Sequence, residues 1–112
     1  MKSYDDNVLK DLYQVVQDRK NDPREGSYTG YLFKEGIDKI LKKVGEECAE
    51  TIIAAKNKNR DEIIMESADL IYHLTVMLTE SDINISDVLE ELDRRSKKIG
   101  NLKDMRETDK ES

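Results

Sequence analysis

Acidic side chains recur at helical spacing in two segments of the chain. In the first, Glu46, Glu47 and Glu50 fall within an arc of about 100° if the segment is an α-helix. The second segment places four potential metal ligands within an arc of about 60° on another helix: Glu62, Glu66, Asp69 and His73. Two carboxylate faces that meet across a helical hairpin would repel each other, and a hard cation relieves that repulsion. Oxygen ligands favour Mg²⁺, with Mn²⁺ as the alternative, and such a site is typical of phosphoryl or nucleotidyl transfer.

The same spacing is also typical of a solvated helix face. Lys42 and Lys43 each precede an acidic residue of the first segment by four positions, so ion pairs within the helix would satisfy these carboxylates. Spacing alone favours this second interpretation. The metal site is favoured by Asp69 and His73, because their neighbours along the second segment are mostly apolar.

Four helices are predicted to position these residues. Apolar residues at spacings of three and four indicate helices with these approximate bounds: Asp5 to Lys20, Gly30 to Lys56, Arg60 to Thr79 and Ser86 to Gly100. A loop containing Ser27, Tyr28 and Thr29 joins the first two helices, and a turn at 57–59 joins the next two. A polar tail is expected over 101–112.

The longest predicted helix contains two glycines within its apolar stripe. Gly36 and Gly45 each cost about 1 kcal/mol relative to alanine in a helix interior. Close approach of another helix or of a ligand would explain them, and simple tolerance explains Gly36 equally well. The inward positions predicted on this helix and the next are Phe33, Ile37, Ile40, Leu41, Val44, Cys48, Ile52, Ile63, Ile64, Ser67, Leu70, Ile71, Leu74, Met77 and Leu78.

The composition predicts one all-α domain over residues 1–112. Of the 112 residues, 39% are charged and 37% are hydrophobic, and the chain contains only five Gly and one Pro. A β-sandwich would need a turn signal about every ten residues, and these signals are lacking. Thin apolar stripes with broad charged faces fit helices, and they also suit an oligomer, because a thin stripe buries better against a partner.

The charge balance and the content of Cys and His exclude several classes of function. With 25 acidic and 19 basic residues, the net charge of −6 argues against nucleic-acid binding. One Cys and one His cannot form an internal disulfide or a four-ligand zinc site. No apolar run approaches the roughly 18 residues of a membrane span, and the N-terminal residues do not resemble a signal peptide. The expected location is therefore the cytoplasm.

The two acidic segments also carry the signature of a known superfamily. Glu46-Glu47-x-x-Glu50, followed after 15 residues by Glu66-x-x-Asp69, matches the EExxE…ExxD motif of the all-α, MazG-like nucleoside triphosphate pyrophosphohydrolases. Within that superfamily the chain more closely resembles the phosphoribosyl-ATP pyrophosphohydrolases.

Three further segments carry this resemblance. Residues 27–33 are similar to that family's loop, 42–57 to its metal-binding helix and 68–74 to its second acidic helix. Two acidic motifs in register with the Ser-Tyr-Thr loop are far more specific than either motif alone. The resemblance extends over residues 8–95, which is most of the chain.

The resemblance implies a reaction and a set of metal ligands. Water would attack the α–β phosphoanhydride of phosphoribosyl-ATP and release phosphoribosyl-AMP and pyrophosphate, the second step of histidine biosynthesis. The implied Mg²⁺ ligands are Glu46, Glu47, Glu50 and Asp69, and Glu66 is either a ligand or a group beside them. One of Glu46, Glu47 and Glu50 is expected to orient or deprotonate the water. The family further implies an all-α, MazG-like bundle of four to five helices whose core is completed by homodimerisation.

Basic and hydroxyl side chains are needed beside the metal to bind the substrate. The basic candidates are Lys43 and Lys56, both on the second predicted helix. Ser27 and Thr29 in the preceding loop are the hydroxyl candidates, and ordinary turn and capping chemistry is their alternative role. Some relatives are fused to a phosphoribosyl-AMP cyclohydrolase, whereas this chain is expected to perform the pyrophosphohydrolase step alone.

Two alternative functions stay open at this point. A house-cleaning pyrophosphohydrolase of noncanonical or deoxy nucleoside triphosphates would share the acidic motifs, although the Ser-Tyr-Thr loop favours the histidine-pathway reaction. A non-catalytic helical dimerisation module would neither need Mg²⁺ nor release pyrophosphate. Cys48 is expected in the core. His73 is expected to be a packing residue or a partner that supports the acidic residues. Tyr72 is expected to pack between helices, with stacking on a base as its alternative role.

Overall fold

Five α-helices make up the part of the chain that the computed structural model describes, residues 7–98. They are α1 (Val8–Asn21), α2 (Tyr28–Glu35), α3 (Ile37–Lys56), α4 (Arg60–Glu80) and α5 (Ile85–Ser96). The predicted all-α bundle is confirmed, and residues 7–98 contain no strand. None of these five helices is long and apolar enough to cross a membrane. The predicted helix start at Asp5, the predicted end at Gly100 and the tail 101–112 lie outside the described residues.

Gly36 divides the long helix that was predicted over 30–56, so that prediction is wrong. Its φ of 95° lies in a region that side chains other than glycine rarely adopt. The N–H of Gly36 donates to the carbonyl of Leu32 at 3.0 Å, and its own carbonyl accepts from the N–H of Ile40 at 3.2 Å. The glycine therefore ends α2 and starts α3 without an intervening loop, which lets the two helices differ in direction.

The loop predicted between the first two helices is confirmed over 22–27, but α2 begins at Tyr28 and not at about Gly30. Ser27 is the N-cap residue, and its Oγ accepts a hydrogen bond from the N–H of Gly30 at 3.0 Å. Tyr28 and Thr29 follow within the helix. Their side chains are consequently held at fixed positions on a helix rather than on an irregular loop.

The start of α5 also differs from the prediction. Asn84, and not Ser86, is the N-cap residue, and its side-chain oxygen accepts from the N–H of Ser86 at 2.9 Å. Ile85, the first helical residue, is buried. The cap therefore lies two positions earlier than predicted and brings an apolar side chain into the bundle at the helix start.

The α3–α4 hairpin is the most extensive helix pair of the described chain. A short turn ends at Asn59, whose side chain caps α4, so the two helices run antiparallel. The Thr51 hydroxyl lies 2.7 Å from the carbonyl oxygen of Glu47 and 3.2 Å from that of Glu66. This single hydroxyl ties the two backbones together beside two of the predicted metal ligands.

The apolar core is small and is built from four helices. Val16 of α1, Leu32 of α2, Ile40 of α3 and Val76 of α4 are each 1% exposed or less and pack as one cluster. Partly buried side chains surround it: Leu12, Phe33, Tyr72 and Met77. This cluster fixes α2 against α3 and α4 and so sets where the first turn of α2 lies.

Several positions predicted to face inward on α3 and α4 are exposed instead. Leu41, Ile52, Ile64 and Ile71 have exposed fractions of 46%, 68%, 52% and 45%. Each of these helices packs on its neighbours with only part of its apolar surface, so the single chain cannot cover the rest. The prediction that these residues are buried is wrong for one chain taken alone.

Candidate active site

Three carboxylates from α3 and α4 converge beside the hairpin. One carboxylate oxygen each of Glu47, Glu66 and Asp69 lies within 4.8 Å of the other two. Glu66 and Asp69 stand three residues apart, which places them on one face of α4, and α3 contributes Glu47 from the other side. Within residues 7–98 these residues form the one group of His, Cys, Asp or Glu side chains that could hold a metal ion.

Two oxygens of this carboxylate cluster are buried without a partner. Glu47 is only 7% exposed. Among the described residues, no hydrogen-bond donor reaches Oε2 of Glu47 or Oε2 of Glu66. An ionised carboxylate without a partner is costly to bury, and the exposed carboxylate of Asp69 adds repulsion close to these two. A divalent cation with a preference for oxygen ligands, such as Mg²⁺ or Mn²⁺, fits this set of donors.

Glu50 adds a fourth carboxylate next to Glu66. The pKa of Glu66 is raised to about 7. The largest cause is a hydrogen bond between protonated Glu66 and Glu50, followed by the burial of Glu66 and a similar hydrogen bond with Glu47. A shared proton or a bound cation would relieve the repulsion between these carboxylates. Glu50 is itself exposed, so it stands at the open side of the cluster.

The raised pKa of Glu66 predicts how stability without a cation depends on pH. The pKa of Glu66 rises from 4.5 to about 7 on folding, so protonated Glu66 adds to the free energy of unfolding. This contribution is complete below pH 4.5 and is lost as the pH rises through 7. We expect the free energy of unfolding of chelator-treated wild-type protein to fall between pH 4.5 and pH 7. The fall should be larger than that of chelator-treated Glu66→Gln over the same pH range. Denaturant unfolding at several pH values measures both, and parallel profiles would contradict the prediction.

Glu46, also predicted as a metal ligand, is not part of the carboxylate cluster. Its carboxylate pairs with the ammonium of Lys43 at 3.6 Å. Burial lowers the pKa of Lys43, but Tyr28 and the carboxylates of Glu46 and Glu47 together raise it above its usual value. Lys43 therefore stays a cation at the edge of the cluster, where it lies near Tyr28 as well.

His73 connects the first turn of α2 to the acidic face of α4. It is only 4% exposed. Its Nδ1 donates to the carbonyl of Asp69 at 2.8 Å, so its Nε2 accepts the hydrogen bond from the Tyr28 hydroxyl at 3.1 Å. The imidazole thereby fixes the position of the Tyr28 ring relative to the turn of α4 that carries Asp69.

A hydrogen bond between the hydroxyls of Thr29 and Tyr72 makes a second connection between α2 and α4. The sequence predicted packing for Tyr72, and packing or support of the acidic residues for His73, but it did not connect either residue with the Ser-Tyr-Thr segment. The available signal was local, because His73 lies one helical turn after Asp69 and Tyr72 lies beside it. Their partners on α2 depend on tertiary packing and could not be identified from spacing.

The remaining predicted substrate-binding residues have different surroundings. The Ser27 Oγ is occupied by its capping hydrogen bond, and Thr29 bonds to Tyr72. Lys56 is exposed at the last position of α3, nine residues and about 13.5 Å of helix rise beyond Glu47. Of the four predicted substrate-binding residues, Lys43 is therefore the one with a charged side chain beside the carboxylate cluster.

Comparison with known proteins identifies the family. The family described as phosphoribosyl-ATP pyrophosphohydrolase matches residues 9–96, which include both acidic segments and the first turn of α2. The chain belongs to this family. The family membership predicted from the acidic motifs is thus confirmed.

Members of the phosphoribosyl-ATP pyrophosphohydrolase family resemble the chain over most of its length. A phosphoribosyl-ATP pyrophosphatase from Clostridium novyi is 53% identical over 96 residues, which cover 86% of this chain and 87% of the relative. The one from Listeria welshimeri is 53% identical over 102 residues, covering 91% and 98% of the two chains. A histidine biosynthesis bifunctional protein from Caldanaerobacter subterraneus is 57% identical over 91 residues, which are 44% of its own length.

Proposed function

We propose that the chain hydrolyses the α–β phosphoanhydride of phosphoribosyl-ATP to phosphoribosyl-AMP and pyrophosphate, the second step of histidine biosynthesis. The observation that carries this proposal is the meeting of Glu47, Glu66 and Asp69, with two buried and unpartnered oxygens, in a member of this family. Relatives that bear the name phosphoribosyl-ATP pyrophosphatase and are 53% identical support the choice of substrate.

The proposed cofactor is Mg²⁺, or Mn²⁺ in its place. Glu47, Glu66 and Asp69 would hold it, with Glu50 beside them, and Glu46 stays a predicted ligand that would first have to leave Lys43. When bound, the cation would neutralise the negative charge that develops as pyrophosphate leaves. An acidic protein can bind a triphosphate in this way, because the cation offsets much of the negative charge of the carboxylates and presents its own positive charge to the phosphates.

The residues around the carboxylate cluster have complementary roles in the proposed reaction. Glu50 is exposed and outside the convergent trio, so we assign to it the orientation of the attacking water and the acceptance of its proton. Lys43 supplies positive charge to the phosphates from the edge of the cluster. Tyr28, whose hydroxyl bonds to His73, lies close enough to Lys43 to raise the pKa of that ammonium.

A second copy of the chain is the proposed partner. Four apolar side chains near the turn of the α3–α4 hairpin are more than half exposed: Ile52, Ile53, Ile64 and Met65. Contact with the same surface of another copy would bury them. We expect light scattering to give twice the mass of one chain and Ile52→Asp to lower it toward a single chain. A monomeric wild-type protein would contradict this proposal.

The proposed substrate is tested by a comparison of pyrophosphate release. Purified protein with Mg²⁺ should hydrolyse phosphoribosyl-ATP far faster than ATP or any deoxynucleoside triphosphate. Faster turnover of a deoxynucleoside or noncanonical triphosphate would support the house-cleaning alternative instead. No pyrophosphate release from any nucleotide would favour the non-catalytic module. Cytoplasmic location and the lack of nucleic-acid binding stay predictions from the sequence.

A further inference from the structure

A cleft of about 650 Å³ opens between the α1–α2 loop and α2. Arg24 lines it from the loop, and Tyr31 and Lys34 line it from α2. The end of α1 contributes Lys20, and the end of α4 contributes Glu80. This cationic cleft lies outside the carboxylate cluster, because it shares none of that cluster's residues.

One of the three cations in the cleft is neutralised by the fold. The Lys20 ammonium donates to the carbonyl of Thr79 at 3.1 Å. It also lies 3.9 Å from a Glu80 carboxylate oxygen and 3.5 Å from one of Asp82. Lys20 therefore holds α1 against the end of α4, and its charge is not available to a ligand.

The other two cations have no such partner. Within the described residues, neither Arg24 nor Lys34 forms an ion pair, and Glu25 is the one remaining acidic residue that lines the cleft. With Lys20 paired, Arg24 and Lys34 outweigh Glu25 and leave the cleft net positive on a chain with a net charge of −6. They create a local positive potential that suits an anion such as a phosphate.

Two tyrosine rings connect this cleft to the carboxylate cluster. Tyr31 lines the cleft, and its ring stacks on that of Tyr28 with 6.2 Å between centroids and 27° between planes. The Tyr28 hydroxyl in turn bonds to His73, which bonds to the backbone of Asp69. Both rings are more than 40% exposed, so they offer a ligand an aromatic surface between the two sites.

The substrate of the proposed reaction has the same arrangement of charges. Phosphoribosyl-ATP is an ATP whose adenine carries a ribose 5-phosphate, so two phosphorylated ends flank an aromatic base. The triphosphate end needs the cation held by the carboxylate cluster. The other end needs positive charge from the protein itself, at a distance set by the base and its two riboses.

We propose that the cationic cleft binds the ribose 5-phosphate end of phosphoribosyl-ATP, with Arg24 and Lys34 against the phosphate and Tyr31 beside the base. This inference rests on the proposed function and gives the physical basis of its selectivity. ATP lacks this phosphate, so it gains nothing from the cleft. The free energy of binding to the cleft then separates the pathway substrate from the far more common nucleotide.

The experiment compares Arg24→Gln and Lys34→Gln with a matched control, Lys10→Gln, on the exposed surface of α1. Each cleft variant should lower kcat/KM for phosphoribosyl-ATP about tenfold, mainly through KM, because one charge-assisted phosphate contact is lost. The inhibition constant of ATP as a competitor should stay within about twofold of wild type. Free ribose 5-phosphate should inhibit wild type more strongly than either cleft variant, and circular dichroism checks that the variants fold.

Three results would overturn the proposal. Cleft variants that behave like Lys10→Gln would show that the two cations do not contact the substrate. An equal weakening of the binding of phosphoribosyl-ATP and of ATP would place these cations at the triphosphate instead. A loss of dimer mass on substitution would make the cleft a contact between copies. Failure of the proposed function is a separate outcome, because wild-type protein would then release no pyrophosphate from phosphoribosyl-ATP.

Discussion

Replacing Glu47 by Gln is expected to lower kcat for phosphoribosyl-ATP hydrolysis by about a thousandfold or more. Glu47 is the α3 member of the convergent trio and is 7% exposed, so no solvent-held group can replace it. A neutral amide is a poor ligand for Mg²⁺. Steady-state pyrophosphate release at saturating Mg²⁺ measures the effect. Unchanged turnover would contradict the assignment of this residue.

The fold of Glu47→Gln should persist, because the substitution keeps the side-chain volume and removes a buried charge. We expect its free energy of unfolding without a cation to equal or exceed that of wild type. Glu62→Gln is the matched control: Glu62 is on α4 and was predicted on the same face as Glu66, but it is exposed and outside the carboxylate cluster. Its turnover should stay within about twofold of wild type, since no metal ligand changes.

Removal of divalent cations is expected to lower activity to about 1% or less of its initial value. The carboxylates of Glu66 and its three neighbours, Glu47, Glu50 and Asp69, repel a triphosphate unless a cation lies between them and the phosphates. Added Mg²⁺ or Mn²⁺ should therefore restore turnover. Dialysis against a chelator followed by titration with each cation measures this dependence. Full activity after complete removal of divalent cations would contradict a metal-dependent reaction.

The same cation should stabilise the folded chain. A ligand that binds only the folded state adds about 2.7 kcal/mol to the free energy of unfolding at a concentration one hundred times its dissociation constant. Thermal unfolding with and without Mg²⁺ should therefore show a stabilisation in wild type that Glu47→Gln lacks. Equal stabilisation of both proteins would place the cation at another site.

Local periodicity was sufficient to predict the acidic faces and the hairpin that brings them together. Glu66 and Asp69 share a face of α4 because a spacing of three does so in any α-helix. The turn ending at Asn59 is short, which forces α3 and α4 to run antiparallel. These features depend only on residues close together in the sequence, so local spacing is enough to predict them.

The roles of Glu46 and Glu47 could not be separated in this way. The two are adjacent and fall within one arc of the same helix, so either could face α4 from its position in the sequence. The rotation of α3 about its axis decides which of the two glutamates faces α4. The packing of Ile40 in the core sets that rotation. Glu47 consequently lies in the carboxylate cluster, while Glu46 faces Lys43.

The break at Gly36 was hidden by the apolar stripe that continues across it. Phe33, Ile37 and Ile40 keep helical spacing through the glycine, so periodicity predicted one helix. A glycine that ends a helix in a left-handed conformation and one that lies inside a helix have the same sequence pattern. The tertiary contacts of α2 with α3 and α4 decide whether the glycine ends a helix or lies inside one. With the helix ending at Gly36, the Ser27–Thr29 segment forms the start of α2.

Identification of the products is the most direct test of the central claim, the hydrolysis of the α–β phosphoanhydride of phosphoribosyl-ATP at the carboxylate cluster. Phosphorus NMR of the complete reaction with Mg²⁺ distinguishes each phosphorylated product. We predict phosphoribosyl-AMP and pyrophosphate in equal amounts from wild type and neither from Glu47→Gln. Orthophosphate with phosphoribosyl-ADP, or no turnover of phosphoribosyl-ATP by wild type, would contradict the proposed function.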